Sequence, residues 1–188
     1  MKTRKMFSLA LVAFSLLIGT EMQAQKEKTV EVGGAPMYPS KNIVENAVNS
    51  KDHTTLVAAV KAADLVGVLS SDGPFTVFAP TNAAFAKLPE GTVTTLLKPE
   101  NKETLQTILK YHVAAGKWSA ADIVAAIKKG NGKYAFKTVS GGTLTAWMKG
   151  KEVYITDENG NSAKVTIADV NQSNGIIHVV DAVVLPRS

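Results

Sequence analysis

The stretch Gly73-Pro74-Phe75-Thr76-Val77-Phe78-Ala79-Pro80-Thr81-Asn82-Ala83-Ala84-Phe85 decides the fold, because its pattern changes from strand to helix. Residues 75–79 are rich in aromatic and β-branched side chains, as in a strand buried on both faces. Pro80 has no N–H to donate to a sheet and ends the strand. Thr81 or Asn82 is expected to cap the following helix by accepting from a free amide of its first turn. The stretch therefore predicts a strand at the centre of the domain.

Helical patterns dominate the first half of the chain and strand patterns dominate the second. Apolar residues recur at helical spacing over residues 40–49, 54–63, 101–111 and 119–127, with Ser40, Asn101 and Ser119 as expected caps. Lys117-Trp118 is expected to be a strand fragment. Strands are expected near residues 134–139, 143–148, 152–156, 162–170 and 176–185, separated by glycine-containing turns. The early strand must join this sheet, close to residues 176–185, which predicts an α+β fold.

The first 24 residues have the layout of a secretory signal peptide, with a basic start, an apolar run from Phe7 to Ile18, and Ala24 as the expected cleavage position. An uncleaved N-terminal anchor is the alternative. Residues 25–39 are polar and contain Gly33-Gly34-Ala35-Pro36, so they are expected to form a flexible leader. Residues 40–186 then make up one domain of ordinary size.

Composition excludes several kinds of chemistry. The chain has no cysteine, so thiol catalysis, thiolate metal sites and disulfides are excluded. Without residues 1–24, 18 basic and 15 acidic residues remain, and the lysines are scattered. This is a solvated surface and not a nucleic-acid footprint. No transmembrane segment is expected in the mature chain, which we expect to be a monomer.

No catalytic or metal-binding motif is present. The three histidines, His53, His112 and His178, lack the local spacing of metal ligands. Around Asp157-Glu158-Asn159-Gly160-Asn161 the EF-hand pattern fails, because Ser162 and Ala168 stand where it needs Gly and Glu, so a solvated hairpin turn is expected. Trp118 and Trp147 are expected in the core or on a sheet face. We predict neither a cofactor nor an enzymatic activity.

Three ordered motifs resemble those of the fasciclin (FAS1) domain family. Residues 73–85 resemble its first homology block, Tyr111-His112 resembles its central Tyr-His pair, and residues 174–186 resemble its second block. The resemblance covers about residues 40–186. It implies a wedge of two antiparallel β-sheets with helices from the N-terminal half packed around it.

The resemblance also implies a function. The family is associated with adhesion, so a secreted, periplasmic or cell-surface interaction module is expected, with cell-surface or extracellular-matrix proteins or polysaccharide as partners. In the family, the Tyr-His pair has been proposed to mediate cell adhesion, which makes Tyr111 and His112 candidates. Asp169-Val170 occupies the place of the family's Asp-Ile element, proposed for integrin binding in animal members, although Val replaces Ile here.

Each candidate also has a structural alternative. His112 can bond the free carbonyls at a helix C-terminus, and Asp169 can bond nearby amides at the entry of a turn. His178, in an apolar strand, is expected to be buried and hydrogen-bonded. Two other functions stay open at this point. One is a carrier of an apolar, carotenoid-like molecule in a cleft of the fold, since some domains of this fold are reported to hold carotenoids. The other is a hydrolase with an unfamiliar site.

Overall fold

The structure, a computed structural model, describes residues 27–187. The expected signal peptide, its cleavage position at Ala24 and the first two residues of the expected leader lie outside these residues. The described part combines helices with a large sheet, so the α+β prediction is confirmed.

Residues 27–187 hold nine strands, namely β1 (Val30–Val32), β2 (Ala35–Met37), β3 (Phe75–Pro80), β4 (Val113–Ala115), β5 (Lys133–Lys137), β6 (Thr143–Lys149), β7 (Glu152–Thr156), β8 (Ser162–Gln172) and β9 (Gly175–Val180). The same residues hold seven α-helices, namely α1 (Ile43–Ala47), α2 (Thr54–Ala62), α3 (Val66–Ser70), α4 (Asn82–Ala86), α5 (Thr92–Leu96), α6 (Lys102–Tyr111) and α7 (Ala120–Lys129). Short 3-10 helices at Lys51–His53 and Pro99–Asn101 precede α2 and α6.

The strand that opened the sequence analysis lies inside the large sheet. Seven strands pair in the order β4-β3-β9-β8-β7-β6-β5, which places β3 beside β9 as predicted. The antiparallel expectation needs one correction, because β3 runs parallel to β9 from Phe75 opposite Gly175 to Pro80 opposite Val180. A Cβ on Gly175 would lie 2.2 Å from the Phe75 carbonyl oxygen, so the close approach of these two strands requires glycine there.

Strand β8 divides the large sheet into two halves. Its pairing with β9 shifts register twice between Val165 and Val170, and Asp169 within this irregular segment has a φ of 58°. Such bulges bend a strand. On one face of β3 and β9, α1–α6 cover a core that contains Val77, Ala79 and Ile177. On the opposite face, Phe78 of β3 joins a second core with Phe136 and other side chains of β5–β8, to which α7 also contributes. This is the wedge that the resemblance implied.

Helix caps explain where several helices begin. Thr81 Oγ1 accepts from the Ala84 N–H at 3.2 Å, as the sequence predicts for the start of α4. Ser119 and Asp122 form a capping box at α7, also as expected. The cap expected at Ser40 is wrong, because Asn42 caps α1. Asn101 does occupy the N-cap position of α6, but its side chain makes no capping bond and donates instead to the Thr95 carbonyl at 2.7 Å.

The expected flexible leader is wrong for its described part. Residues 27–39 contain the hairpin β1-β2, whose Val32 and Met37 side chains are buried in the first core. The Asn46 side-chain amide donates to the Tyr38 carbonyl at 2.8 Å and accepts from the Tyr38 N–H at 2.9 Å. The buried side chains of Val32 and Met37, together with the two hydrogen bonds from Asn46 of α1, hold this segment on the domain. Strand β4 is likewise found at residues 113–115 and not at Lys117-Trp118.

Candidate functional site

Tyr111, the first residue of the Tyr-His pair, is completely buried. Its hydroxyl donates to the Thr143 carbonyl at 2.7 Å and accepts from the Glu158 N–H at 3.1 Å. Burial raises the pKa of Tyr111 to about 12, so the hydroxyl keeps its proton. The ring lies against Gly142, where a Cβ would come within 2.6 Å of it. Tyr111 therefore ties α6 to the start of β6 and to the turn after β7, which lie together at the open end of the β6-β7 hairpin.

His112 follows as the C-cap of α6 and is 3% exposed. Its Nδ1 donates to the Ile108 carbonyl at 2.8 Å, and its Nε2 accepts from the Val184 N–H at 3.2 Å. These two partners require a neutral imidazole with its proton on Nδ1. Burial lowers the pKa of His112 to about 4, against weaker opposing effects of the Ile108 carbonyl and Asp157. The side chain thus connects the helix end to the C-terminal segment.

Asp169 and Val170 also serve the inside of the fold. Asp169 is half-buried, and its Oδ1 accepts from the Ala120 N–H at the start of α7, at 2.7 Å. A carboxylate at this position favours the helix because it meets the positive end of the dipole. Val170 is 1% exposed and stands opposite Ile177 of β9. Three of the four candidate residues are therefore buried, and no exposed cluster brings the four together.

His178 sits in the central strand β9 and is fully buried. Its Nε2 donates to the Trp118 carbonyl at 2.8 Å, while its ring stacks on Phe78 with centroids 5.9 Å apart. Burial lowers the pKa of His178, and the Trp118 carbonyl and Asp169 oppose that effect. The sequence-based interpretation of a buried, hydrogen-bonded histidine is confirmed.

Asn174, the first residue of the stretch that resembles the family's second block, joins three parts of the chain. Its Oδ1 accepts from the Ile43 N–H at 3.1 Å, and its Nδ2 donates to the carbonyls of Leu69 and Ser71 at 2.8 and 2.9 Å. One side chain therefore provides hydrogen-bond partners for a free N–H at the start of α1 and for free carbonyl groups at the end of α3. The motif residues that carry the resemblance build the scaffold.

The turn after β7 is not simply solvated, which corrects the sequence-based expectation. Asp157 is 6% exposed, and its Oδ1 accepts from the N–H groups of Asn159 and Asn161 at 2.9 and 2.8 Å. Its Oδ2 accepts from the Leu185 N–H at 3.0 Å. The carboxylate is thus engaged by backbone amides of the turn and of the C-terminal segment, an arrangement that leaves it no role as a metal ligand. Across residues 27–187, no group of three or more His, Asp or Glu side chains is placed to hold a metal ion.

An apolar cavity of about 80 Å³ lies between α1, α2, α3 and the sheet. Val44, Leu56, Val60 and Leu69 are among its lining residues, together with His53. His53 is 1% exposed and its Nδ1 bonds the Ser50 hydroxyl at 2.9 Å, but its Nε2 has no hydrogen-bond partner among the described residues. Burial lowers the pKa of His53, and the nearby Ala79 carbonyl and Asp52 act weakly against this.

Sequence reasoning did not single out His53, although a signal exists. His53 precedes Leu56 and Val57 by three and four positions, which places it on the apolar face of α2. On α6, the same spacing relates His112 to Leu109 and Ile108, which precede it by three and four positions, and it indicates that this histidine lies on the apolar face.

A pair of aromatic side chains lies on the outward side of the sheet half formed by β5–β8. Trp147 and Tyr154 stack there, with ring centroids 4.9 Å apart and an interplanar angle of 21°. Trp118, in contrast, packs with Tyr134 and Phe136 near the second core. Within the described part of the chain, no helix is long and apolar enough to span a bilayer.

The fold and its motif residues define a class of protein: a domain with a split sheet whose signature side chains are scaffold residues. The sequence model of the Fasciclin domain matches residues 51–186. This chain belongs to the fasciclin domain family.

Relatives support the same assignment. Protein sll1483 of Synechocystis sp. is 47% identical over 180 residues, which cover 94% of this chain and 93% of that protein. Immunogenic protein MPB70 of Mycobacterium bovis is 36% identical over 145 residues, covering 74% of this chain and 66% of the relative. Human periostin is 31% identical over 137 residues, which are 73% of this chain and 15% of periostin.

A solved structure shares the fold. The FAS1 domain pair from the insect cell adhesion molecule fasciclin I superposes with a TM-score of 0.70, at 18% identity, covering 85% of this chain and 58% of that one. The fold prediction is therefore confirmed by both sequence and structure.

Proposed function

We propose that this chain is a non-catalytic adhesion or interaction module that acts outside the cytoplasm and binds cell-surface or matrix components through its exposed surface. The single observation that supports this most is the use of the motif side chains. Tyr111, His112, Asp169 and Asn174 each bond backbone groups of the same domain. Their polar atoms are occupied in holding the fold, which leaves the outer surface as the region for partners. The insect cell adhesion molecule that shares the fold supports the same function.

The proposal includes the location and state of the protein. The apolar run before residue 24 supports export, and we propose a secreted, periplasmic or cell-surface protein. We propose that the module works as a monomer and without a cofactor. Tyr111, His112 and Val170 act indirectly in this proposal, by fixing the geometry of the surface, since none of them is exposed.

Bead attachment tests this function. Protein is produced from the full-length coding sequence, purified, and coupled to beads, and attachment of the beads to envelopes of the host cells is counted. We expect attachment well above that of beads carrying the same protein unfolded by heat. Equal attachment of the folded and unfolded preparations would contradict an interaction role. A parallel screen of ester and glycoside substrates is expected to give no turnover.

A second function, carriage of an apolar small molecule, is favoured by one observation. The cavity between α1, α2, α3 and the sheet is lined mainly by apolar side chains, and its lining residue His53 has an Nε2 without a partner among the described residues. Its volume of about 80 Å³ is well below the roughly 300–1,000 Å³ of ordinary ligand pockets, so a carotenoid-like molecule would need α1 and α2 to separate. The absorption spectrum and native mass of protein from the host test this. A colourless protein at the mass of the bare chain would contradict carriage.

A further inference from the structure

The outward face of the β5–β8 sheet half carries an ordered set of aromatic, hydroxyl and basic side chains. Register places Lys133, Trp147, Tyr154 and Lys164 in one row across the four strands. The next row contains Thr145, Thr156 and Ser162. The alternate residues of the same strands, among them Phe136, Leu144 and Ile155, are buried against α7. We call the two outward rows, together with the neighbouring Lys137, Lys149 and Glu152, the outer face.

The aromatic pair on the outer face is held in place by its neighbours. The Trp147 Nε1–H donates to Thr156 Oγ1 at 2.8 Å, and the Thr156 and Ser162 hydroxyls are 2.7 Å apart. Tyr154 stacks on Trp147 and donates from its hydroxyl to Glu152 at 2.9 Å. Large aromatic groups kept at a half-exposed position by hydrogen bonds lose little entropy when a ligand packs against them. Trp147 and Tyr154 are therefore preorganised to pack against a ligand.

A groove of about 440 Å³ runs beside Trp147 and is lined by Lys133, Thr145, Trp147 and Thr156. Its lining combines one aromatic ring, two hydroxyl groups and one ammonium group. An aromatic ring has a negative face that attracts the C–H groups of a sugar ring. The Thr145 hydroxyl can exchange hydrogen bonds with sugar hydroxyls, whereas Thr156 Oγ1 is already bonded to Trp147 and Ser162. This set of groups suits a saccharide better than an apolar peptide.

The positive charge of the outer face favours an acidic saccharide as the ligand. Lys133, Lys137 and Lys149 are exposed there, whereas the carboxylate of Glu152 is already paired with Lys164. Of the other nearby carboxylates, Asp181 pairs with Lys87 at 3.4 Å. Glu158 accepts from the Thr143 N–H at 3.1 Å and keeps its negative charge, but the three exposed lysines outnumber it. The net positive charge complements the carboxylates of a uronate polymer.

We propose that the outer face binds an acidic polysaccharide, with a sugar ring packed on Trp147 in the groove and carboxylates near the lysines. This deepens the proposed interaction function and rests on it, because it names one partner class for one surface. Neutral polysaccharide and protein partners are the competing outcomes.

The test measures binding of the purified full-length product to alginate, a uronate polymer, by affinity electrophoresis. We expect clear retardation that weakens as salt rises, and little retardation by neutral dextran. The variant Trp147→Ala should lose about tenfold in affinity, because the sugar loses its ring contact. Trp147→Phe, which keeps an aromatic ring, should retain most of the affinity. Lys133→Gln should weaken binding, whereas Lys102→Gln, on α6 away from the outer face, should not.

Two results would overturn the proposal. One is no retardation by alginate. The other is binding to alginate and to dextran sulfate that Trp147→Ala leaves unchanged, since charge alone would then account for it. Circular dichroism and urea unfolding of each variant exclude a loss of fold. Attachment of wild-type and Trp147→Ala beads to host envelopes distinguishes failure of this binding site from failure of the proposed interaction function. Persistent attachment without alginate binding overturns this site alone, and absent attachment overturns the interaction function as well.

Discussion

The imidazole of His112 accepts a hydrogen bond from the Val184 N–H at 3.2 Å, so the end of α6 holds the segment that follows the last strand. Because the accepting nitrogen must be unprotonated, this contact depends on pH. His112 is also the member of the Tyr-His pair that lines the apolar cavity. Protonation of His112 therefore removes the acceptor for the Val184 N–H and also places a charge beside the apolar cavity.

Stability is expected to fall as the pH drops from 7 to 5. The pKa of His112 is about 4 in the folded domain and 6.5 when exposed, so the unfolded chain binds the proton first. The contribution is complete above pH 6.5 and is lost progressively down to pH 4; between pH 7 and 5 the loss is about 2 kcal/mol. Burial lowers the pKa values of His53 and His178 as well, which adds in the same direction.

Urea unfolding at the two pH values measures this loss. The variant His112→Gln should be less stable at pH 7 but should show a shallower dependence on pH, because it lacks the titrating group. An identical slope in the variant and the wild type would contradict the assignment to His112.

Removing the Tyr111 hydroxyl is expected to destabilise the domain. In Tyr111→Phe, the Thr143 carbonyl and the Glu158 N–H both lose their partner. Unsatisfied backbone groups of this kind cost about 1–3 kcal/mol, to be read from urea midpoints. Tyr38→Phe is the matched control, since that side chain is 36% exposed and should stay within about 0.5 kcal/mol of wild type. A Tyr111→Phe variant as stable as this control would show that water replaces the bonds.

Asp169 offers a pair of substitutions that separates its two structural roles. Its φ of 58° lies in the left-handed region, which asparagine tolerates and alanine does not favour. Asp169→Asn keeps an acceptor for the Ala120 N–H, so we expect a loss of at most about 1 kcal/mol from the missing helix-dipole interaction. Asp169→Ala loses the acceptor as well and should cost about 1–3 kcal/mol. Equal stability of the two variants in thermal unfolding would refute this explanation.

The variant Phe78→Ala tests whether residues 73–85 lie at the centre of the domain. The side chain is completely buried, with ring centroids 5.9 Å from both Phe136 and His178. Phe78→Ala should therefore cost about 3–5 kcal/mol of unfolding free energy, as in other large-to-small core changes. Val68→Ala, at a side chain 45% exposed, is the control and should change little. A loss of less than about 1 kcal/mol for Phe78→Ala would place the centre of the domain elsewhere.

Local chemistry in the sequence predicts much of this fold. Thr81 and Ser119 were identifiable as caps because a capping side chain needs only its own first turn. The alternation in β7 and β8 and the turn at Asn159-Gly160 were likewise visible in short windows. The hairpin β1-β2 was missed because each strand has only three residues and its burial depends on distant contacts.

The parallel course of β3 beside β9 was also out of reach of such patterns. Neither strand contains a residue that specifies direction, and Gly175 only permits the close approach of the two backbones. The candidate site shows the same division. The motifs identified Tyr111, His112 and Asp169, but burial of a side chain depends on what packs over it. The outer face escaped notice because Lys133, Trp147 and Tyr154 are neighbours only through strand register.

The pairing of β3 with β9 joins positions one hundred residues apart. A growing or translocating chain cannot complete its central pair until its last strand is available, so folding has to wait for the C-terminal end. Contacts of such long range slow folding because the loop between them must be closed first. For the export proposed above, this delay is an advantage, because the chain stays unfolded until it has crossed the membrane. A chain truncated before β9 would leave one edge of β3 unpaired, and we expect such a product to be a target for proteolysis.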